Sequence, residues 1–287
     1  MIHPTTAPGP ALAAADVTLA YEQRVIARDV SLRIPEGTVT AIIGPNACGK
    51  STLLRGFARQ LAPRGGHFEL RGRQLEEIRS RQVARELAFL PQESTAPPGI
   101  LVRDLVARGR YPHQTFLAQA SPADLEAVGR ALRTVGLEAA ANHPVDQLSG
   151  GQRQRAWIAM ILAQDTPLLL LDEPTTFLDL THQIELLDLT ARLNRDHART
   201  VVMVLHDLNQ AARYADALVV MKDGRIVAHG SPHDVLDAAL VEEVFGVPCR
   251  VIPDPETGSP LVIPRAPATS AAREHGRGVP GGPEGMG

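Results

Sequence analysis

The sequence predicts an α/β fold built on a doubly wound, mostly parallel sheet. Three observations carry that expectation. A β-branched run at residues 39–43 enters a glycine-rich turn, and helix-forming sequence follows at residues 53–59. Two near-continuous apolar runs, residues 168–171 and 200–205, have the character of central strands buried on both faces. Helical periodicity alternates with those strands through the second half of the chain.

The elements follow in order. Residues 1–11 are rich in Pro, Thr and Ala and are expected to be flexible. Residues 13–21 and 25–34 alternate apolar with polar, which predicts an antiparallel pair. Pro35-Glu36-Gly37 is a turn signal before the strand at 39–43. A short strand and turn are expected at residues 68–72, a helix at 80–85 and a strand at 87–90 stopped by Pro91. Residues 102–135 are mostly helical in period, with breaks at Pro112 and Pro122, and Ser121 begins a helix. Residues 152–163 and 182–194 predict helices, and another begins near Asn209. Strands at 218–221 and 225–229 flank an Asp223-Gly224 turn. Beyond about Pro264 the sequence loses apolar period, and the tail to residue 287 is expected to be disordered.

The chain has 287 residues, 44% of them hydrophobic, and a formal net charge of −3. That is enough apolar sequence for one large domain without disulfide or metal staples. The charge gives no support for nucleic acid as a partner. Cys48 and Cys249 form no disulfide framework, which suits a reducing, cytosolic compartment. No apolar run reaches the length of a membrane span, and the N-terminus lacks a signal-peptide pattern. Any membrane association is therefore expected to come through another subunit.

The chemistry is concentrated in three stretches. Gly44-Pro45-Asn46-Ala47-Cys48-Gly49-Lys50-Ser51-Thr52 reads G-x-x-x-x-G-K-S between a strand and a helix. Such a loop cradles phosphate oxygens with backbone N–H groups at a positive helix end. Lys50 is placed to reach β- and γ-phosphates, and Ser51 to offer its hydroxyl to Mg²⁺. Residues 168–174 form an apolar strand ending in Asp172, Glu173 and Pro174. Ligands bind at the carboxyl ends of such strands. Asp172 would supply an oxygen to Mg²⁺, and Glu173 would polarise an attacking water. Leu148-Ser149-Gly150-Gly151-Gln152 opens a helix, with Ser149 as its cap, and makes a second anion site. Two such sites make sense if each nucleotide is clamped between two copies of the chain.

These three motifs, in this order and spacing, resemble the ATP-binding subunit of ABC transporters. The resemblance runs from about Leu12 to Gly246. It implies a P-loop NTPase of the ABC ATPase type, with a parallel core sheet, an N-terminal antiparallel β subdomain and an inserted helical subdomain. The nucleotide-binding domain would span residues 12–250, with the helical insertion at about 95–160. The cofactors implied are ATP and Mg²⁺. The implied assembly is a head-to-tail homodimer that closes on ATP and drives a multi-span membrane permease at the cytoplasmic face of the membrane. A substrate-binding protein outside the cell would take part indirectly.

The resemblance assigns further residues. Tyr21 would stack on adenine. Gln92 would contact Mg²⁺ and water and sense the permease. Asp179 would communicate across the dimer. His206 would touch the γ-phosphate. One position departs from the pattern: many members carry glycine where this chain has Ala47. If φ is positive there, alanine is penalised by ~1–2 kcal/mol, which the loop should tolerate. Cys48 lies near Lys50 and a helix N-terminus, which would lower its thiol pKa, make it oxidation-sensitive and let nucleotide shield it; the alternative is a small loop residue with no such role.

Residues 109–114, 173–183 and 206–211 are similar to subunits of ferric-siderophore, haem and cobalamin importers, most closely the iron(III) dicitrate or hydroxamate type. Haem and vitamin B12 import are the alternatives within that group. By family analogy Pro112 and His113 contact the permease. The regulatory lobe of sugar-importer subunits is not expected after Gly246. A DNA-repair or chromosome-type ABC ATPase is the alternative of another class. Those proteins place a long coiled coil between the first two motifs, whereas residues 53–148 are short and proline-broken. A non-hydrolysing nucleotide sensor fits less well, because Glu173 and His206 are both present. The arginines of residues 71–85 alternate with glutamates and are expected to form a solvated face.

Overall fold

The computed structural model describes residues 9–114, 120–176 and 178–265. Residues 1–8 and 266–287, which hold most of the expected flexible N-terminus and disordered tail, lie outside the described residues. The strands are β1 (Leu12–Tyr21), β2 (Arg24–Ile34), β3 (Val39–Ile43), β4 (Gly65–Leu70), β5 (Arg73–Gln74) and β6 (Leu87–Leu90), then β7 (Leu168–Asp172), β8 (Thr200–Val204), β9 (Ala217–Lys222), β10 (Arg225–Gly230), β11 (Cys249–Pro253) and β12 (Pro260–Pro264). The helices are α1 (Lys50–Phe57), α2 (Ser80–Glu86), α3 (Val102–Ala107), α4 (Pro122–Thr134), α5 (Gly150–Gln164), α6 (Leu180–His197), α7 (Leu208–Tyr214), α8 (Pro232–Val235) and α9 (Ala238–Phe245).

The central sheet has six strands in the order β10-β9-β3-β8-β7-β6. Strands β6, β7, β8, β3 and β9 run parallel, and β10 adds an antiparallel edge through the Asp223-Gly224 turn. Both turn residues have positive φ, at 49° and 77°, as a tight hairpin requires. A second, four-stranded antiparallel sheet runs β2-β1-β4-β5.

The continuous apolar runs are explained by burial on two sides. Leu169, Leu171, Val201 and Met203 face one core, shared with α3, α4 and α5. Leu168, Leu170, Val202 and Val204 face the other, shared with α1 and the antiparallel sheet. Alternate residues thus enter opposite cores, and a polar residue on either side would be buried without a partner. In the second core the Phe57 and Phe68 rings lie 4.9 Å apart at 59°.

Helices α3, α4 and α5 pack on one another within the expected insertion. Ser121 caps α4 through a reciprocal capping box with Asp124. Asp124 also accepts from Arg110 Nε at 2.9 Å, both side chains being buried. That hydrogen bond is the main reason the Asp124 carboxyl is held at about 2. Arg110 Nη1 donates to the Ala163 carbonyl, so one guanidinium joins the residue 108–110 turn, α4 and the end of α5.

One expectation changes, and two features are added to the rest. Ala11 is not loose: it is buried, and its N–H donates to the Ile34 carbonyl at 2.8 Å. Ordered chain continues past residue 250 into the β11–β12 hairpin, and the Arg265 N–H still donates to the Pro248 carbonyl. The arginines of residues 71–85 are exposed, yet Arg81 and Arg85 donate to the carbonyl of Pro112 at 2.9 Å, so part of this face holds a loop.

Gly56 lies on the face of α1 that meets Phe68, and a Cβ there would overlap the ring. Alanine is the better helix former by ~1 kcal/mol. Gly56→Ala is nonetheless expected to destabilise the protein by about 1–3 kcal/mol, because the buried ring must move. Urea or thermal unfolding measures the sign; stabilisation would show that Phe68 has room to shift.

Candidate active site

The glycine turn is seated by close approach. A Cβ on Gly44 would overlap the Met221 carbonyl oxygen at the end of β9, so only glycine lets the loop begin there. Ala47 has φ 61°, and Gly49, the N-cap of α1, has φ 106°. The left-handed position expected to tolerate alanine does so with the loop open. Lys50 is 4% exposed and its Nζ donates to the carbonyls of Gly44 and Pro45, each at 2.9 Å. The ammonium is thereby fixed at the centre of the loop. Asn46 through Thr52 line a cleft together with Arg24, Ile26 and Glu173.

Sheet register delivers the acids to that cleft. Leu90 pairs with Leu171, and Leu171 pairs with Met203. Gln92, Glu173 and His206 each follow those pairs by two or three residues, so they leave the same sheet edge side by side. Gln92 Nε2 donates to Glu173 Oε2 at 2.6 Å, and His206 Nε2 lies 2.7 Å from Glu173 Oε1. Thr176 Oγ1 adds a 3.3 Å bond to Oε2. Glu173 itself has φ 52° and is 9% exposed. A non-glycine residue in that region is strained, by ~1–3 kcal/mol. Strain of this kind clusters at functional sites.

Asp172 is fully buried and accepts from Ser51 Oγ at 2.7 Å through Oδ1. Its Oδ2 is buried with no hydrogen-bond partner among the described residues. Burial pushes the carboxyl up, against the Ser51 bond, Arg55 and Lys50. A hydroxyl and a carboxylate with an orphaned oxygen are oxygen donors suited to a hard divalent cation.

The other anticipated residues sit apart from this cleft. Ser149 caps α5 with a reciprocal box to Gln152 and is exposed, as is Gly150, while Gly151 is half-buried. None of the Ser149–Gln152 turn lines the phosphate-loop cleft. Asp179 caps α6, accepting from the His182 N–H at 3.0 Å and from its ring at 2.7 Å. Backbone and ring bonds from His182 hold the Asp179 carboxyl low. Tyr21 is exposed at the end of β1, its hydroxyl accepting from Arg55 at 3.2 Å. Arg24 and Ile26, at the start of β2, line the cleft instead; their only signal in the sequence is the expected antiparallel pair. Cys48 overturns an expectation: burial pushes its thiol up and outweighs Lys50, so a low-pKa, oxidation-prone thiol is not present.

A phosphate loop facing a paired Asp–Glu strand end, on a parallel sheet with an antiparallel side sheet, defines a P-loop nucleoside triphosphatase. Residues 27–176 match the family model for ABC transporters, and the chain belongs to that family. It is 53% identical over 93% of its length, and 94% of the relative, to the probable siderophore transport system ATP-binding protein YusV of Bacillus subtilis. It is 49% identical over 88% of its length, and 95% of the relative, to the ferric enterobactin transport ATP-binding protein FepC of Escherichia coli. The dimeric, ADP- and phosphate-bound cassette MJ0796 superposes with a TM-score of 0.69 at 28% identity, covering 77% of this chain and 98% of that one. No helix among the described residues is long and apolar enough to cross a membrane.

Ala47→Gly relieves a left-handed strain of ~1–2 kcal/mol but adds backbone entropy to the unfolded chain, worth ~0.5–1 kcal/mol. The expected outcome is a gain of about 0.5 kcal/mol in chemical denaturation with nucleotide affinity unchanged. A loss of stability would mean that the Ala47 methyl makes contacts worth more than its strain.

Proposed function

We propose that this chain is the ATPase of an importer for iron(III)-siderophores, with Glu173 as its general base. The observation that carries the reading is the Glu173 carboxylate, held between Gln92 and His206 at the wall of the Lys50 cleft. Phosphoryl transfer asks a protein mainly to position water and neutralise charge. Lys50, already fixed on the loop carbonyls, would exchange them for β- and γ-phosphate oxygens. Glu173 would accept the proton of the attacking water, and Gln92 and His206 would orient its two oxygens. His206 would then reach the γ-phosphate. Ser51, Asp172 and Gln92 would hold Mg²⁺, which when bound offsets phosphate charge. Tyr21 would meet the adenine, with Arg24 and Ile26 lining the same approach.

The exposed Ser149–Gln152 turn would complete the site of a second copy, since it is absent from this chain's own cleft. A homodimer arranged head to tail would bring that turn to the partner's γ-phosphate, while Asp179 of each copy would communicate across the dimer. A membrane permease would dock near Tyr111–Gln114, where Tyr111 is 64% exposed. That loop is fastened to α2 through Arg81 and Arg85 and to α5 through His113, whose Nε2 lies 2.8 Å from the Gln164 carbonyl. Motion at the permease could so reach Gln92 through β6. The siderophore assignment rests on the names carried by YusV and FepC, and a substrate-binding protein would deliver the cargo outside the membrane.

Glu173→Gln should retain ATP, lower hydrolysis by ~10²–10⁴-fold and elute as an ATP-dependent dimer on size exclusion. Lys50→Ala should lose hydrolysis together with most nucleotide binding. Wild-type turnover in Glu173→Gln would remove that residue from the chemistry. For the cargo, the chain reconstituted with its permease should show ATPase stimulation by a ferric-siderophore-loaded binding protein. Stimulation by the haem or cobalamin form instead would reassign the substrate.

A further inference from the structure

The segment that follows Glu173 and the one that follows His206 are joined twice. The near joint is the 2.7 Å contact of His206 Nε2 with Glu173 Oε1. The far joint is made of two half-buried glutamine side chains. Gln183, in the first turn of α6, donates through Nε2 to the Leu178 carbonyl at 2.9 Å. Its Oε1 accepts from Gln210 Nε2, in the first turn of α7, at 3.1 Å. Each direction is fixed. A carbonyl only accepts, so Gln183 turns its NH₂ to Leu178 and its oxygen to α7, where Gln210 must present an NH₂ of its own.

The chain on either side of this bridge is held. Thr176 N–H donates to the Glu173 carbonyl at 3.2 Å, and Leu178 N–H to the Thr175 carbonyl at 3.3 Å. The Gln183 N–H donates to the Asp179 carbonyl at 2.9 Å, so one residue holds two consecutive carbonyls there. Asp207, next after His206, caps α7 by accepting from the N–H groups of Asn209 and Gln210 at 2.8 and 3.0 Å. Among the described residues the one other side-chain hydrogen bond between α6 and α7 runs from Tyr214 Oη to Asp188 Oδ1 at 2.9 Å, at the far end of α7.

We infer that Gln183 is a positioning residue: with Gln210 it locks the Asp179 end of one segment to the helix that follows His206, so that a shift of His206 carries Asp179 with it. A single contact between Glu173 and His206 would leave a hinge, whereas two joints make one body. The inference rests on the reading that His206 meets nucleotide and Asp179 meets a second copy. Neither glutamine lines the phosphate-loop cleft, so loss of the bridge spares ATP binding to one chain and weakens the pairing that follows.

The test uses the full-length Glu173→Gln protein, with dimer formation followed by light scattering as MgATP rises. ATP affinity is measured separately on protein too dilute to pair. Gln183→Leu should raise the ATP concentration for half-maximal dimer about ten-fold, the effect of one or two neutral hydrogen bonds, with the dilute-chain affinity unchanged. Gln210→Leu should do the same, and carries the test if Gln183→Leu fails to fold. The double variant should be no worse than either, because the two amides form one connection. Gln183→Glu keeps the size of the side chain and an acceptor for Gln210 but cannot donate to Leu178, so it should behave as Gln183→Leu. Tyr214→Phe removes the other bond between α6 and α7 and should leave the dimer curve in place. A curve unmoved by Gln183→Leu and Gln210→Leu overturns the bridge and leaves the ATPase reading standing. So do additive losses, a Gln183→Glu curve like the parent's, or equal weakening by Tyr214→Phe. A Glu173→Gln protein that binds ATP without pairing removes the dimer reading, and the bridge with it.

Discussion

The structure turns on a single carboxylate. Glu173 is nearly buried, strained and gripped from two sides by Gln92 and His206, and those three residues come from the ends of three neighbouring strands. A carboxylate so placed needs both partners, since an ionised group without them would be expelled or neutralised. Meeting that condition requires β6, β7 and β8 to hold one register. Register is in turn fixed by strands buried on both faces, where a slip would drive side chains into the wrong core. The chemistry of the cleft and the packing of the molecule are thus one problem. Asp172 extends the point: one residue earlier on the same strand, it takes Ser51 on one oxygen and leaves the other without a partner among the described residues.

Much of this was legible in the sequence because local signals agreed with the tertiary result. The glycine turn lies between a β-branched run and a helix, and the structure puts it there with Gly44 against Met221. The runs at residues 168–171 and 200–205 became β7 and β8. Ser149 became a cap with the Gln152 box that its spacing allowed. What failed depended on burial or long-range pairing. Cys48 has Lys50 nearby in sequence, which argues for a low thiol pKa; its depth beneath the loop reverses that, and depth is invisible in a string of letters. The Arg110–Asp124 pair spans a break in the helical pattern and gives no periodic signal.

The β11–β12 hairpin was missed for a related reason. Its strands are short and bounded by prolines at 253, 260 and 264, residues that normally mark a strand as edge or loop. What holds it is one amide: Asn209 Oδ1 accepts from the Val262 N–H at 2.7 Å, and Asn209 Nδ2 donates to the Val262 carbonyl at 3.2 Å. A side-chain amide that imitates a strand neighbour can be recognised only once both partners are in space. Cys249 and Val262, buried residues of the hairpin itself, belong to the core shared with α5 and α6.

That amide has an engineering corollary. Asn209 stands three positions after His206, so β12 is buttoned onto α7, the helix that begins two residues beyond that histidine. Purification handles or reporter fusions spliced into the β11–β12 hairpin would tug on that clasp and, through α7, on the rim of the cleft beside His206.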